Sequence, residues 1–285
     1  MLSAFISHAD CARHDMGPHH PECPERLGAI NDHLLVKGLL DYMVPYDAPL
    51  ATEEQLGRAH ASLYVKEIFD ASPTEGLHAV DPDTNMCPHT LKAALRAAGA
   101  AVQATDLVLA GEAPTAFCSV RPPGHHAERS AAMGFCFFNN VAVGIRHALD
   151  VHGLERVALI DFDVHHGNGS EDIFRGDERV LMCSIFEKGL YPFNGEQAVG
   201  PNMVNVGLPE HSLSINLMSV VGNRRSLSGS PIGGIAETQE MLDFCAEHGL
   251  GADVEVIDAT SIDAAYDRVV RGDVRYRFVI DTATI

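Results

Sequence analysis

The sequence predicts an α/β protein in which a three-layer arrangement places helices on both faces of a parallel sheet. From about residue 24 onward, helix-like and strand-like segments alternate along the chain. The strand-like segments are short, uninterrupted apolar runs, which are typical of strands buried on both faces of a parallel sheet. The three clearest runs are Thr115–Val120, Val157–Phe162 and Val180–Phe186.

Two helices are predicted near the start of the chain. One begins at Pro24, a residue that favours the first turn of a helix. The second begins at Thr52-Glu-Glu-Gln55, which has the form of a capping box. Its apolar face is expected to carry Leu56, Leu63 and Ile68, so we predict one continuous helix through these residues.

Two longer helices are predicted next to the strands. His89–Ala110 is rich in Ala and Leu and is followed by Gly111, a residue that commonly ends helices. Asn139–His152 lies between two of the strand-like runs and is followed by Gly153. Strands separated by helices in this way are typical of βαβ units.

The pattern changes in the last quarter of the chain. Pro209–Gly234 is irregular and rich in Ser, Gly and Asn. A helix–strand–helix–strand order follows it, over Ile235–His248, Val254–Ile257, Ser261–Val270 and Arg275–Ile280. We therefore predict a first domain over residues 1–209, a junction over 210–224 and a short α/β tail over 225–285.

The composition excludes several function classes. The 285 residues carry a formal net charge of −19, which disfavours nucleic acid and anionic membranes as partners. The N-terminus has no basic region of the kind that begins a signal peptide, and the apolar stretch Leu91–Leu109 is interrupted by Arg96 and Asp106. Seven cysteines without a C-x-x-C pair predict reduced thiols in a cytoplasmic protein.

One polar motif begins at the end of the strand-like run Val157–Phe162. Asp161, Asp163 and His165 alternate along extended chain, so their side chains share one side. The carboxyl ends of strands are where open α/β sheets bind ligands. A carboxylate and an imidazole in this position suit zinc or iron. The alternative is an Asp that caps the next helix beside exposed histidines.

A second polar motif follows the preceding strand. Arg121-Pro-Pro-Gly-His-His-Ala127 is a rigid turn that would hold His125 and His126 over the same edge of the sheet. One of these imidazoles could act as a base, and the alternative is a pair of solvent-facing histidines. The nearby aromatic run from Phe135 to Phe138 could line an apolar tunnel or belong to the core.

Together these motifs resemble the zinc-dependent histone deacetylase family. The resemblance rests on R-P-P-G-H-H-A, G-F-C-F-F-N-N and D-F-D-V-H-H-G-N-G in this order, and on H-P-E-C-P-E-R near the N-terminus. D-P-D-T followed by C-P-H-T is similar to the acetylpolyamine amidohydrolase branch of that family. The resemblance covers about residues 1–209 and implies the arginase/deacetylase-like fold.

The resemblance also implies roles for individual residues. Asp163 and His165 would ligate zinc or iron, while His125 and His126 would be the paired catalytic imidazoles, with Asp161 steadying His125. The remaining implied positions are a substrate tunnel (Phe135, Tyr191, Asp83), supporting polar residues (Asn168, Arg26) and backbone carbonyls for a K⁺ or Na⁺ ion (Asp161, Asp163, His165, Ser184, Ile185). The implied reaction is hydrolysis of an acyl amide such as acetyl-lysine or an acetylpolyamine by zinc-bound water.

The C-terminal quarter departs from the family pattern. The family's third metal-ligand Asp and its catalytic Tyr have no match after Pro209, and Gly233-Gly234 is followed by Ile235 rather than Tyr. Arg224–Cys245 and Val274–Ile280 instead resemble the C-terminal end of zinc-type, cinnamyl-alcohol-like dehydrogenases. A dehydrogenase is disfavoured because no dinucleotide-binding loop is present.

Alternatives to an active hydrolase therefore stay open. One is a catalytically impaired deacetylase-like chain that binds at most a metal or an acyl ligand. Another is a chain that folds poorly, because the sheet would lose strands that complete its core. The sequence does not indicate the oligomeric state, the acyl group or whether the two resemblances reflect a natural fusion.

Overall fold

The structure is a computed structural model that describes residues 2–195, 203–207, 235–249, 251, 254–271, 273–274 and 277–284. The chain forms two compact units, Met1–Ser212 and Leu213–Ile285. The predicted junction over residues 210–224 lies outside the described residues, and the predicted domain boundaries stay predictions.

The first unit is built around parallel strands. Its described strands are β1 (Ser3–Ser7), β2 (Met43–Asp47), β3 (His78–Asp81), β4 (Thr84–Met86), β5 (Ala116–Ser119), β6 (Val157–Asp161), β7 (Val180–Phe186) and β8 (Met203–Gly207). Two parallel sheets have the strand orders β2–β1–β5 and β6–β7–β8, while β3 and β4 pair as an antiparallel hairpin. This confirms the predicted α/β class with parallel strands.

Helices connect and cover these strands. Those of the first unit are α1 (Glu25–Val36), α2 (Glu53–Ala59), α3 (Ser62–Asp70), α4 (Thr90–Leu109), α5 (Asn140–Asp150) and α6 (Asn168–Phe174). The two long predicted helices are confirmed as α4 and α5. Asn139 begins α5 as predicted, because its side-chain oxygen accepts a hydrogen bond from the backbone N–H of Ala142 at 3.1 Å.

The predicted second helix differs from the structure. The capping box is present, since Thr52 and Gln55 exchange hydrogen bonds of 2.9 and 3.2 Å. However, the helix ends before His60, whose backbone is extended, and a second helix follows. The His60 ring is buried between the carbonyl of Glu128 (2.9 Å) and the backbone N–H of Asn139 (2.9 Å). These tertiary contacts override the local helical pattern.

The expected burial on both faces is wrong for β6 and β7. Leu159 and Met182 point into the core, whereas Ile160, Leu181 and Ile185 on the other face are 64%, 47% and 46% exposed. A parallel sheet is ordinarily covered on both sides. Within the described residues, the second sheet therefore has one apolar face without cover.

The two parallel sheets also end in free edges. Among the described strands, β5 pairs only with β1, and β6 pairs only with β7. A cavity of about 350 Å³ touches both edges, through Cys118 and Val120 on one side and Val157 on the other, and α4 and α5 complete its lining. The predicted single sheet is thus two half-sheets in the described part of the chain.

The second unit has the predicted helix–strand–helix–strand order. Its described elements are α7 (Ile235–Glu247), β9 (Glu255–Asp258), α8 (Ile262–Val270) and β10 (Phe278–Asp281). The two strands pair in parallel, and Arg268 of α8 pairs with Glu255 at 2.8 Å and stacks over the ring of Phe278. Across both units, no described helix has the length and apolar character needed to span a bilayer.

Candidate active site

The turns after β5 and β6 meet at one edge of the first unit. Parallel strands present their carboxyl ends at the same side, which explains why residues 36 positions apart come together. There, Nδ1 of His125 donates a hydrogen bond to Oδ2 of Asp161 at 2.9 Å. The turns border a cavity of about 380 Å³, which is lined by Pro21, Glu22, Arg26, Asp83, Pro123, His125, His126, Gly134, Phe135, Asp163, His165 and Tyr191.

His125 and Asp161 shift each other's pKa values. Burial alone would lower the pKa of His125, but the hydrogen bond that it donates to Asp161 and the charges of Asp161 and Asp163 raise it. Burial alone would raise the pKa of the Asp161 carboxyl group, but the hydrogen bond and charge of His125, with the backbone N–H of Asp163, together lower it. The pair therefore favours an imidazolium beside a carboxylate.

His126 lies in the opposite environment. Burial and the neighbouring charge of His125 lower the pKa of His126 to about 4. Its Nδ1 donates to Oδ1 of Asn168 at 2.8 Å, and Nδ2 of Asn168 donates to Oε1 of Glu128 at 2.9 Å. Because Glu128 fixes which end of the Asn168 amide faces the ring, His126 keeps its proton on Nδ1. Its Nε2 is left free to accept a proton.

The two imidazoles lie close together, and a glycine packs against one of them. The centroids of the His125 and His126 rings are 4.0 Å apart. Gly134 has a φ of +56°, and an added Cβ there would lie 2.7 Å from Cγ of His126 and 2.9 Å from Cε1 of Tyr191. Only a residue without a side chain fits this turn against the His126 ring.

Replacing Gly134 with Ala is expected to lower the free energy of unfolding by about 1–3 kcal/mol, because the methyl group adds steric overlap with His126 to backbone strain. Thermal unfolding measures the loss. Gly153→Ala is the matched control, since Gly153 has a φ of +72° and nothing within 4 Å of an added Cβ. Equal destabilisation of the two variants would contradict steric contact with His126.

Asp163 and His165 lie at the cavity beside these imidazoles. Oδ1 of Asp163 accepts from the backbone N–H of His165 at 2.8 Å and lies 3.1 Å from Nδ1 of the same residue. Both side chains are partly exposed, so their donor atoms are accessible. A carboxylate oxygen and an imidazole nitrogen fit zinc or iron in type. However, these are only two ligands. In the described part of the chain, neither Asp163 nor His165 belongs to a group of three potential metal ligands.

The predicted tunnel residues line the same cavity. The ring of Tyr191 meets that of His126 edge-on at 5.0 Å, and its hydroxyl is buried without a hydrogen-bond partner among the described residues. Burial raises the pKa of Tyr191, so the hydroxyl stays protonated. Phe135 is fixed by a 3.0 Å hydrogen bond from its backbone N–H to Thr84, next to Asp83. The cavity thus combines aromatic walls with a carboxylate.

The other predicted residues surround the site without all reaching the cavity. Arg26 lines it and donates to the carbonyl of Val120 at 2.7 Å. Asp161 and Asn168 lie behind the two imidazoles. Ser184 is the β7 register partner of Asp161, which brings the residues proposed for a monovalent cation to one end of the β6–β7 pair. That cation site stays a prediction.

Sequence reasoning missed a buried ion pair beneath the cavity. Nε and Nη2 of Arg121 donate to the two carboxylate oxygens of Glu22 at 2.5 and 2.6 Å, and Nη1 donates to the carbonyls of Cys11 and His14 at 3.0 Å. Arg121 is fully buried, and Glu22 also lines the cavity. Both residues belong to recognised motifs, but their pairing across 99 residues leaves no local signal.

This pair predicts a specific loss of stability in acid. Burial alone would raise the pKa of Glu22, but His14 and Arg121 lower it from 4.5 to about 2. A lowered carboxyl pKa stabilises the fold above pH 4.5, and the contribution of about 3 kcal/mol is lost as the pH falls toward 2. Unfolding by denaturant from pH 7 to 2 measures it. Glu22→Gln is expected to be less stable at pH 7 and to lack this part of the acid decline.

Comparisons with known proteins agree with this geometry. The family model described as the histone deacetylase domain matches residues 20–225, well over half of the chain. A probable deacetylase from Archaeoglobus fulgidus is 35% identical over 78% of this chain and 63% of its own length. A histone deacetylase-like amidohydrolase from Pseudomonas aeruginosa is 38% identical over 70% and 57%, respectively. This chain thus spans less than two thirds of these relatives.

Two further comparisons concern a polyamine deacetylase and a solved structure. A polyamine deacetylase, HDAC10 of Mus musculus, is 44% identical over 60% of this chain and 27% of its own length. The crystal structure of the HDA15 HD domain superimposes with a TM-score of 0.68 at 23% identity, covering 100% of this chain and 84% of that one. This likeness confirms the predicted arginase/deacetylase-like fold, while the resemblance of the tail to dehydrogenases stays a prediction. The chain belongs to the histone deacetylase family.

Proposed function

We propose that this chain is a metal-dependent hydrolase that removes an acyl group from an amine, with acetyl-lysine or an acetylpolyamine as the substrate class. The observation that carries the proposal is the pair of imidazoles with different partners, His125 on Asp161 and His126 on Asn168, at one cavity. The names of the relatives, deacetylase and amidohydrolase, support the same reaction.

In this proposal each imidazole has a separate task. Nε2 of His126 accepts a proton from the attacking water, because Asn168 holds the other ring nitrogen as the donor. His125, which is stabilised as the cation by Asp161, supplies positive charge where the amide oxygen becomes negative. Phe135 and Tyr191 exclude water from the sides of the acyl group.

Asp163 and His165 are the residues that would hold the metal. A zinc or iron ion bound there would polarise the acyl carbonyl and make water more acidic. Two protein ligands bind a metal more weakly than the three usual in catalytic zinc sites. We therefore expect the purified chain to lose its metal readily to chelators.

A cationic substrate is favoured by the charges at the cavity. Glu22, Asp83 and Asp163 line it, against Arg26 and the His125 imidazolium, so carboxylates outnumber cationic groups among the described lining residues. The net charge of −19 would attract an amine over longer distances. The predicted cytoplasmic location and the K⁺ or Na⁺ site belong to this proposal as expectations.

Release of acetate tests the proposal directly. The chain, supplied with Zn²⁺ or Fe²⁺, is expected to release acetate from an acetylpolyamine or from an acetyl-lysine peptide, and Asp163→Asn is expected to reduce the rate at least tenfold. Asp70→Asn, a change at an exposed position of α3, is the control and should leave the rate unchanged. Equal rates for both variants would contradict the assigned metal ligand.

The alternative function is an impaired member of the family that binds a metal or acyl ligand without turnover. It is favoured because the described residues supply two metal ligands at the cavity rather than three. Calorimetry separates the two functions. Saturable binding of the acetylated amine without release of acetate would support the binder and refute the hydrolase.

A further inference from the structure

A second group of potential metal ligands lies away from the active-site cavity. It consists of Asp106 near the end of α4, His147 in the last turn of α5, and His152 just after α5, and we name it the helix-end cluster. One ligand atom from each residue lies within 4.8 Å of the others. None of the three residues lines the active-site cavity.

The donor atoms of this cluster converge on one point. Nε2 of His147 and Nε2 of His152 lie 2.7 and 2.6 Å from the same oxygen, Oδ1 of Asp106. The two rings are nearly perpendicular, with centroids 5.1 Å apart. Their hydrogen bonds outweigh the effect of burial and lower the pKa of Asp106, which keeps the carboxyl group ionised.

We propose that the helix-end cluster is a binding site for a divalent transition-metal ion of the zinc type. One carboxylate and two imidazoles form a ligand set suited to zinc, and the fourth position would be open to water because Asp106 and His152 are partly exposed. The packing of α4 against α5 holds Asp106 and His147 on two helices, and His152 follows in the turn after α5. This inference does not depend on the proposed hydrolase function.

Binding requires a change of tautomer and a small movement. In the metal-free cluster each Nε2 carries the proton that it donates to Asp106. A metal ion takes the place of that proton, which moves to Nδ1 through solvent. The ligand atoms must also separate by about 0.6 Å to reach tetrahedral spacing, given ligand bonds of about 2.0–2.1 Å. The half-exposed side chain of Asp106 is free to make this movement.

The contact of Arg58 with His147 disfavours metal binding at the helix-end cluster, so a substitution of Arg58 tests the proposal. Its Nη1 donates to Nδ1 of His147 at 3.2 Å, and its Nη2 pairs with Glu54 at 2.8 Å. With a metal on Nε2, Nδ1 of His147 needs an acceptor, which a guanidinium cannot supply. Arg58→Gln removes the positive charge and offers a side-chain oxygen to Nδ1. It is therefore expected to tighten metal binding by about tenfold, within the range known for partners of ligating histidines.

The experiment titrates Zn²⁺ and Co²⁺ into the full chain after removal of metal with a chelator. Calorimetry gives the stoichiometry, the Co²⁺ absorption spectrum reports the ligand geometry, and thermal unfolding reports the stabilisation. Asp163→Asn removes a ligand of the active-site cavity only, so it should retain the Co²⁺ spectrum of the helix-end cluster. Asp106→Asn and His152→Gln should lose it, with affinity at least tenfold lower.

The possible results either establish or overturn the proposed metal site. Loss of the Co²⁺ spectrum of the helix-end cluster in Asp106→Asn, its retention in Asp163→Asn and tighter binding at the cluster in Arg58→Gln would establish the site. Far-UV circular dichroism verifies that the variants fold. Titrations that are identical in the unsubstituted chain and in folded Asp106→Asn and His152→Gln would overturn the proposal, whether or not the chain hydrolyses an amide.

Discussion

Replacing Arg121 with Met is expected to destabilise the first unit by about 3–5 kcal/mol, the range for removing one partner of a buried ion pair. The guanidinium is fully buried and makes two short hydrogen bonds to Glu22. Without it, His14, at 3.4 Å, is the one side chain among the described residues that pairs with the buried Glu22 carboxylate. The carbonyls of Cys11 and His14 also lose their donor. A loss of this size is a large fraction of the stability of a typical domain.

Denaturant unfolding measures this loss, and two further variants locate its cause. Arg175→Met removes a surface pair with Asp172 and is expected to change stability by less than about 1 kcal/mol. The double variant Glu22→Leu with Arg121→Met removes both charges and is expected to recover part of the loss, because an apolar pair leaves no charge unpaired. Additive losses in the double variant would contradict the unpaired carboxylate as the cause.

The positions of the site residues could be predicted because they depend on local rules. Asp161 ends β6, Asp163 lies two residues beyond it and His125 follows β5, so all three stand at the carboxyl ends of strands, where open α/β sheets bind ligands. The start of α5 at Asn139 could be predicted for the same reason, because the cap depends only on residues next to it in sequence. Such features follow from the spacing of a few adjacent residues.

Features that depend on distant contacts could not be predicted. The chain turns at His60 because its ring is held by residues 68 and 79 positions further on. Arg121 and Glu22 are 99 residues apart. The exposed face of β6 and β7 could not be predicted either. Ile160 and Leu181 lie in apolar runs, which indicate burial on both faces. Only the tertiary structure shows that no described residue covers this face.

Replacing His126 with Gln is expected to reduce kcat for acetate release by about 10²–10⁴-fold, the usual contribution of a general base. A Gln side chain can still donate a hydrogen bond to Asn168, so the fold and the walls of the cavity are preserved. It has no imidazole lone pair to accept a proton at the position of Nε2. We therefore expect kcat to fall while KM changes little, because the proposed substrate contacts with Phe135 and Tyr191 are not altered by this substitution.

Steady-state kinetics of the metal-supplied chain measure this effect, and His33→Gln on the exposed surface of α1 is the control. Asn168→Leu gives a second, independent measure. It leaves the His126 ring in place but removes the acceptor that fixes its tautomer, so kcat should fall less than in His126→Gln. A His126→Gln variant that retains the unsubstituted rate would contradict the base assignment. If kcat fell further in Asn168→Leu than in His126→Gln, the loss would come mainly from a disturbed structure of the turn that carries His126.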